Sequence, residues 1–430
     1  MKRTAQKIHI EDAALLKEKL LNWARNQQTV LWLDNNGHED AHGNFDALLA
    51  VGEVSSLQLN NAENTFDKLA TYQAKTQDWI FGYFSYDLKN DLESLVSENE
   101  DQLKFPELYF FQPEKIITLC GKTLTQMYAP AFEDQAATDL KAIRNQPFSP
   151  QNRSNSLKIE ARLNKTQYVE QVEKMLSHIH RGDIYEANFC QEFYASGTIS
   201  PLGTYHHFNT ISQAPFAAYF RNVEKYLLCT SPERYLLKKG DKIISQPIKG
   251  TARRSDNPVE DAQIAIALTR DEKERSENIM ITDLVRNDLS RVAKKGSVNV
   301  DELCGIYSFK QVHQLVSTIS AKVDDDVPVV DLIKKTFPMG SMTGAPKVSA
   351  MQIIENLEQH KRGLYSGALG YFTPDGDFDF NVVIRSILYD AVKERVSFSV
   401  GSAITALSDP EKEYEECLLK ARAMREVLTE

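Results

Sequence analysis

Residues 367–400 read GALGYFTPDGDFDFNVVIRSILYDAVKERVSFSV, and no other segment says as much about the architecture. Three short runs rich in β-branched and aromatic residues, 367–373, 382–389 and 396–400, are separated by turn-forming and charged residues, which is typical of strands. Strands this close in the chain favour antiparallel pairing, because parallel neighbours need a crossover of about a dozen residues or more. The segment therefore predicts an α+β fold with largely antiparallel sheets, rather than a doubly wound parallel sheet.

The rest of the chain mixes further strands with amphipathic helices. Strand composition recurs at 29–33, 79–84, 108–111 and 226–230. A helical period of 3.6 predicts helices over 166–181, 261–294, 347–360 and 411–428. The stretch 145–156 combines two prolines with polar, turn-favouring residues and predicts a long connection between an N-terminal region, 1–145, and a larger region, 160–430.

Composition excludes several classes of function. Of the 430 residues, 50 are Lys or Arg and 60 are Asp or Glu, so the net charge is −10 at pH 7, a sign that repels nucleic-acid phosphates. No apolar run approaches the length that crosses a bilayer, about 20 residues, and the N-terminus lacks the apolar part of a secretory signal. We therefore expect a cytoplasmic protein with no membrane partner. Five widely spaced cysteines favour reduced, buried thiols over disulfides.

Two predicted helices carry glutamates close to their apolar faces. On the first, Glu274 and Glu277 continue the apolar face, so their carboxylates point toward the core unless that face simply reaches solvent at the helix N-terminus. On the second, Glu413, Glu416 and Lys420 share a face beside the apolar stripe, which also fits an exposed face held by ion pairs. Two such faces opposite each other would form an all-oxygen site suited to Mg²⁺.

Two further segments have unusual chemistry. The segment 340–347 places Pro346 and two glycines at the approach to a helix N-terminus, which suits either an anion site or a plain turn and cap. Lys249 lies between Ile248 and Gly250 at a predicted strand end. It is either an ordinary solvated lysine or a partly desolvated one, whose lowered pKa would let it act as a nucleophile or general base.

Taken together and in this order, the segments resemble the chorismate-utilising enzymes, a family that includes anthranilate, aminodeoxychorismate, isochorismate and salicylate synthases. The matching motifs are 182–188, 231–234, 247–251, 274–278, 283–288, 340–347, 384–385 and 413–420, and 81–88 matches less closely. The resemblance implies one large fold in which two packed sheets carry helices on the outside and the active site lies in the cleft. The stretch 145–156 would then be a crossover within that fold.

Lys249 is the best discriminator within the resemblance. Aminodeoxychorismate synthases have lysine at this position and anthranilate synthases typically alanine, so the resemblance implies conversion of chorismate and ammonia to 4-amino-4-deoxychorismate, for para-aminobenzoate and folate biosynthesis. Lys249 would attack ring carbon 2 and expel the hydroxyl from ring carbon 4, where ammonia would then add as the lysine leaves. Glu233 matches the general acid that protonates the departing hydroxyl, a role that needs a raised pKa. The isochorismate and salicylate branch has a lysine base in the position of Glu186 and is disfavoured.

The resemblance also implies a set of ligands. Glu277 and Glu416 would hold Mg²⁺ against the ring carboxylate of chorismate, with Glu274 and Glu413 supporting the ion through water. Substrate contacts would come from Gly250, Thr251, Ser341 or Thr343, Tyr365, Arg385, Gly401 and Lys420. No cysteine lies in a glycine-rich nucleophile elbow, so ammonia would come from a separate glutamine amidotransferase subunit or from solution.

Three departures from the family pattern and two alternative functions stay open. Gln314 stands where most relatives have His, Ala403 replaces the second glycine of a motif that begins at Gly401, and Glu186 replaces a glutamine. One alternative is anthranilate synthase component I, against which Lys249 argues. The other is a non-catalytic subunit that only binds chorismate, against which the retained nucleophile and glutamates argue.

Overall fold

The predicted strands pair into two antiparallel sheets in the computed structural model, which describes residues 2–93, 95–147 and 156–429. In chain order, the strands of these residues are β1 (Thr4–His9), β2 (Thr29–Asp34), β3 (Ala47–Val51), β4 (Ser55–Leu59), β5 (Ile80–Phe84), β6 (Leu108–Gln112), β7 (Lys115–Cys120), β8 (Thr123–Tyr128), β9 (Glu160–Ala161), β10 (Glu186–Ser196), β11 (Phe216–Asn222), β12 (Lys225–Ser231), β13 (Arg234–Lys239), β14 (Lys242–Gln246), β15 (Ile248–Arg253), β16 (Asn299–Ser308), β17 (Val312–Lys322), β18 (Gly344–Ala345), β19 (Ala368–Phe372), β20 (Phe378–Val382), β21 (Ser386–Asp390) and β22 (Arg395–Thr405).

Helices connect the strands and cover the sheets. In chain order they are α1 (Ala13–Ala24), α2 (Thr65–Thr76), α3 (Lys89–Leu92), α4 (Ala136–Arg144), α5 (Lys165–Arg181), α6 (Pro201–Ser212), α7 (Pro258–Arg270), α8 (Glu272–Ser290), α9 (Val329–Thr336), α10 (Lys347–Leu357) and α11 (Pro410–Thr429). Short 3₁₀ turns lie at Tyr86–Leu88, Pro130–Gln135 and Gly340–Met342. None of the helices within the described residues is both long enough and apolar enough to cross a bilayer.

The first sheet has twelve strands, in the order β1-β8-β7-β3-β2-β11-β12-β21-β22-β10-β18 with β9 against β10. The second has ten, in the order β15-β17-β14-β13-β20-β19-β5-β6-β4 with β16 against β17. Strands that precede and follow the predicted connection pair with each other in both sheets, as β2 does with β11 and β5 with β19. The α+β class with two antiparallel sheets is confirmed. Within that connection, 148–155 lies outside the described residues.

The segment 367–400 contributes to both sheets. β19 and β20 lie in the second sheet, and β21 and β22 lie in the first. The single strand predicted over 382–389 is wrong, because the chain leaves one sheet after Val382 and enters the other at Ser386. The sequence did not predict β20, because its apolar residues alternate with polar ones. Asp379 lies between two buried phenylalanines of this strand and pairs with the buried Arg234, whose Nε is 3.0 Å from Oδ1 of Asp379.

Helix boundaries follow the predicted periodicity with one exception. The helix predicted over 261–294 is two helices, because the backbone of Asp271 is extended and its side chain accepts a hydrogen bond from the Glu274 N–H, which starts α8. The cysteine prediction is also corrected at one position. All five thiols are free and four are buried, but Cys120 is exposed at the end of β7.

Apolar side chains of the described residues fill three large layers, beside a small fourth cluster of Leu268, Cys304 and Leu315. One lies between the first sheet and helices that include α5 and α11, and a second lies between the second sheet and helices that include α8 and α9. The third joins the facing sides of the two sheets, with Leu31 and Phe220 from the first and Tyr83 and Leu369 from the second. The sheets therefore hold β15, β17 and β22, which carry Lys249, Gln314 and Gly401, in fixed positions.

Candidate active site

Lys249 lies in a bulge of the edge strand β15. The pairing of β15 with β17 shifts register between Ile248 and Thr251. Within this bulge, Gly250 has a φ of +94°, a left-handed backbone conformation in which a residue with a side chain would be strained. The side-chain amide of Asn278 on α8 donates to the backbone carbonyl of Lys249 at 3.0 Å. The backbone around Lys249 is thus held by the pairing with β17 and by the hydrogen bond from Asn278.

Carboxylates surround the Lys249 ammonium. Its Nζ lies 3.4 Å from Oε1 of Glu186, and its side chain is 12% exposed. Burial alone lowers the pKa of Lys249, but Glu186, Glu277 and Glu233 outweigh burial and raise the pKa above its usual value. Of the two alternatives that the sequence left open, the desolvated lysine is the one observed, but its pKa is raised and not lowered. Local sequence showed the apolar neighbours of the lysine and could not show which distant carboxylates would face it.

Glu233 lies in the turn between β12 and β13 and is buried. Its Oε1 accepts a hydrogen bond from the Ser341 hydroxyl at 2.6 Å. Burial raises the pKa of Glu233 to about 7, although Ser341 and Lys249 act in the opposite direction. The carboxyl group therefore holds its proton in part of the molecules near neutral pH, which is the condition that a general acid requires.

The two helices with glutamates, α8 and α11, present them to one region. Glu277 and Glu413 are buried and Glu274 is half-buried, whereas the Glu416 side chain is 45% exposed. Burial raises the pKa of Glu277 to about 7 and also raises the pKa values of Glu274 and Glu413. Glu416 pairs with Lys420 at 2.6 Å, which lowers the pKa of Glu416. Both arrangements that the sequence left open therefore occur: Glu277 and Glu413 point inward, and Glu416 forms an ion pair at the surface.

The donor set of these four glutamates suits a hard divalent cation. All the donors are carboxylate oxygens, and the buried Oε1 of Glu277 has no hydrogen-bond partner in the described part of the chain. Among the described residues, no group of three or more His, Cys, Asp or Glu side chains is arranged so that it could hold a metal ion. Lys273 lies between two of them, with Nζ 3.8 Å from Oε1 of Glu277 and 4.0 Å from Oε1 of Glu413. Mg²⁺ fits the chemistry of these residues and stays a prediction.

A cavity brings together part of the predicted substrate set. Arg385 and Lys420 line it with Gln314, and Nη1 of Arg385 donates to the Lys420 carbonyl at 3.2 Å. Lys420 Nζ in turn donates to the Gly401 carbonyl at 3.0 Å. Burial lowers the pKa of Arg385, although the buried Tyr365 acts in the opposite direction. The cavity is therefore lined by two cationic side chains that a substrate carboxylate can pair with.

Other predicted contacts face elsewhere. Thr343 is fully buried and its hydroxyl donates to backbone carbonyls of Met339 and Gly340, whereas Thr251 is exposed beside Gln314. In the segment 340–347, the lysine turns inward, with Lys347 Nζ 2.7 Å from Oδ2 of Asp288. The side chain of Lys347 is thus part of the core, while Ser341 reaches the candidate site through Glu233.

His313 and Gln314 point to opposite sides of β17, because successive side chains alternate along a strand. His313 points to the helix side of β17, where its ring contacts Asp261 at 2.9 Å and Ser308 at 2.8 Å. Gln314 points to the cavity, and its Oε1 is buried without a hydrogen-bond partner among the described residues. The neighbouring imidazole therefore does not take the place of the residue that Gln314 replaces.

The contacts of three residues of the site were missed from the sequence. Asn278 and Lys273 were given no role there, and Glu186 was noted only as a departure from the family pattern, although each contacts Lys249 or a glutamate of the group. The spacing of Lys273 and Glu277, four residues apart on one helix, was the available signal. For Asn278 and Glu186 no local signal existed, because their partners come from other elements.

Comparison with known proteins places this geometry in a family. A family described as chorismate binding enzyme matches residues 27–426. The aminodeoxychorismate synthase of Streptomyces pristinaespiralis is 38% identical over 359 residues, 79% of this chain and 49% of that protein. Aminodeoxychorismate synthase component 1 of Escherichia coli is 35% identical over 343 residues, 79% of this chain and 74% of that protein. The chain thus spans about half the length of the first of these relatives.

A solved structure shows the same fold. Anthranilate synthase component I from Streptococcus pneumoniae matches with a TM-score of 0.78 and 24% identity, over 90% of this chain and 94% of that one. The fold, the matched residues and the identities to the two relatives agree. The chain belongs to the family of chorismate binding enzymes.

Proposed function

We propose that this protein is an aminodeoxychorismate synthase component I, which converts chorismate and ammonia to 4-amino-4-deoxychorismate. The observation that carries the proposal is the position of Lys249, 3.4 Å from Glu186 and within the electrostatic reach of Glu233. A nucleophile and a general acid with a pKa of about 7 are the two groups that displacement of a hydroxyl requires. The names of the two relatives support the same reaction.

The first half of the reaction makes a covalent intermediate. Lys249 must act as the neutral amine, so its ammonium first loses a proton. Its Nζ then forms a bond to ring carbon 2, the two ring double bonds shift, and the bond from ring carbon 4 to its hydroxyl oxygen breaks. Glu233 gives its proton to that oxygen, so the leaving group departs as water.

The second half reverses the shift with a new nucleophile. The nitrogen of ammonia bonds to ring carbon 4, the double bonds return, and the bond between Nζ and ring carbon 2 breaks. One proton passes from the added nitrogen to the departing amine, so the net reaction consumes chorismate and ammonia and yields the amino product and water. Dividing one difficult displacement into two easier ones is the advantage of the covalent route.

Binding would rest on charge. Arg385 and Lys420 would pair with a substrate carboxylate, alongside Tyr365 and the backbone of Gly401. Mg²⁺ would be held by Glu277 and Glu416, with Glu274 and Glu413 supporting it through water. When bound, the ion would neutralise the ring carboxylate and orient the ring.

Ammonia would come from a glutamine amidotransferase subunit, in the cytoplasm. The support for that partner is chemical. Of the described cysteines, four are buried, and burial raises the pKa values of Cys190, Cys229, Cys304 and Cys417, the opposite of what a thiolate nucleophile needs. A pull-down with the tagged chain from its native extract is expected to recover a glutaminase, and recovery of none would count against the partner.

A product analysis tests the reaction. The purified protein is incubated with chorismate, Mg²⁺ and ammonium chloride, and products are identified by mass spectrometry beside Lys249→Ala and the surface control Lys334→Ala. We expect 4-amino-4-deoxychorismate without pyruvate from the unmodified protein and from Lys334→Ala, and almost none from Lys249→Ala. Anthranilate with pyruvate would instead identify an anthranilate synthase, and binding without turnover would identify a non-catalytic subunit.

A further inference from the structure

One ammonium group faces all four glutamates of α8 and α11. Lys273 Nζ is 3.8 Å from Oε1 of Glu277 and 4.0 Å from Oε1 of Glu413. Glu274 and Glu416 also act on it electrostatically, and together the four carboxylates outweigh the effect of burial and raise the pKa of Lys273. The charge of this lysine is thus placed where the proposed function expects a divalent cation.

The other cations near the group have partners of their own. Lys420 pairs with Glu416 at 2.6 Å, and Lys249 pairs with Glu186 at 3.4 Å. Buried carboxylates without a nearby positive charge are strongly unfavourable. Lys249 also acts on Glu277 electrostatically, but among the described side chains Lys273 is the cation that lies within 4.0 Å of both Glu277 and Glu413.

The contacts of Lys273 are those of a removable cation. Both distances exceed hydrogen-bonding range, and Oε1 of Glu277 has no hydrogen-bond partner in the described part of the chain. Oε1 of Glu277 is thus charge-compensated while its lone pairs accept no hydrogen bond from the described residues. The Lys273 side chain is 41% exposed, so its flexible stem can carry the ammonium into solvent without crossing packed core.

We propose that Lys273 is an internal counter-cation of this glutamate group, which a divalent ion displaces, and that this competition sets the affinity of the group for the ion. The inference rests on the proposed function only in taking Mg²⁺ as the ion. It makes Lys273 a positioning residue for charge and not a catalytic residue. Without metal the glutamates stay compensated, and with metal the lysine turns outward.

Calorimetric titration with Mg²⁺ in the absence of chorismate tests the competition. The full chain, Lys273→Gln, Lys273→Arg and the control Lys412→Gln are compared at one fixed ionic strength. Lys412 is exposed beside Glu413 in the sequence, so its replacement removes the same charge from the same neighbourhood. We expect Lys273→Gln to lower the Kd for Mg²⁺ about tenfold, because a cation within about 4 Å of the donors no longer competes. Lys273→Arg keeps the charge and should not tighten binding, and Lys412→Gln should change the Kd less than twofold.

Thermal unfolding supplies a readout that needs no catalysis. In EDTA, Lys273→Gln should melt below the unmodified protein, and saturating Mg²⁺ should raise its melting temperature by more than it raises that of the unmodified protein. A Kd for Lys273→Gln that is unchanged or higher would overturn the inference, and so would an equal effect of Lys412→Gln. If neither the unmodified protein nor Lys273→Gln binds Mg²⁺ at millimolar concentration, the inference falls together with the metal site, while the product analysis still decides the amination separately.

Discussion

The candidate site and the core each contain a buried lysine, and the two lysines are held in different ways. Lys347 Nζ donates to Oδ2 of Asp288 at 2.7 Å and to the carbonyls of Pro338 and Thr336 at 2.8 and 3.1 Å. All three of its N–H groups are used. Lys249 has one ion pair, 3.4 Å from Glu186, among the residues that the structure describes.

The difference shows that burial alone does not identify a nucleophile. Burial lowers the pKa of Lys347 more than Asp288 raises it, whereas three carboxylates keep the pKa of Lys249 raised. By pKa direction alone, Lys347 is the better nucleophile. Its hydrogen bonds and its place in the core exclude that role, because an amine that is fully bonded has no free direction from which to attack a substrate.

The largest expected effect is the loss of turnover in Lys249→Ala. We expect kcat for amination to fall by at least about 10⁴-fold, because removing a covalent nucleophile removes the whole route. The fold should persist, since burial raises the pKa of Glu186 and its carboxyl can stay protonated without the lysine. Product formation by liquid chromatography and unfolding in urea are measured on the same preparation. Turnover within tenfold of the unmodified protein would contradict the assignment.

Lys347→Met should produce the opposite result. The replacement leaves Asp288 and two backbone carbonyls without their donor, so the free energy of unfolding should fall by about 3 to 5 kcal/mol. The kcat of the folded fraction should stay near that of the unmodified protein. Urea denaturation measures the stability, and the double variant Lys347→Met with Asp288→Leu should recover part of it. Loss of kcat with unchanged stability would reverse our comparison of the two lysines.

The pH dependence of kcat/KM should differ between the unmodified protein and Glu233→Gln. In the unmodified protein, Glu233 must be protonated and Lys249 neutral. Above pH 7, the loss of protonated Glu233 offsets the gain of neutral Lys249, so kcat/KM should rise up to about pH 7 and then level off. The variant lacks the acid, so its kcat/KM should be about 10²-fold lower at pH 7 and should keep rising tenfold per pH unit. A plateau above pH 7 in the variant would exclude Glu233 as the acid.

Glu186→Gln should give the smallest effect. Glu186 raises the pKa of Lys249, so its neutralisation should lower that pKa and increase the neutral fraction of the amine at any pH below it. On the plateau above pH 7 we therefore expect kcat/KM to rise by about three- to tenfold. The plateau should also end at a lower pH, because it lasts only up to the pKa of Lys249. An unchanged plateau would mean that Glu186 does not hold Lys249 in its ammonium form.

The fold was largely predictable because it depends on local composition. Strands such as β2, β5 and β6 were evident from their β-branched and aromatic residues, and α5 and α11 from their periodicity. The division of residues 367–400 between two sheets was not, because Asp379 is polar in sequence and buried only through its pairing with Arg234.

The proximity of several candidate residues was predictable from the sequence, whereas their electrostatics were not. Lys249, Glu233 and Glu277 were identified by motif, and the structure brings their charges together. The direction of the Lys249 pKa was missed because Glu186, Glu233 and Glu277 approach it from three separate elements. Lys273 was missed because an exposed helix lysine is usually only solvated.

The most direct test of a covalent Lys249 is to withhold the second nucleophile. The protein is mixed with chorismate and Mg²⁺ without ammonia, quenched in acid, and analysed by intact-protein mass spectrometry and peptide mapping. We predict a mass increase of one chorismate less one water on the peptide that contains Lys249, which disappears on addition of ammonium as 4-amino-4-deoxychorismate forms. Amination by Lys249→Ala at the rate of the unmodified protein, with no adduct on Lys249, would contradict the account.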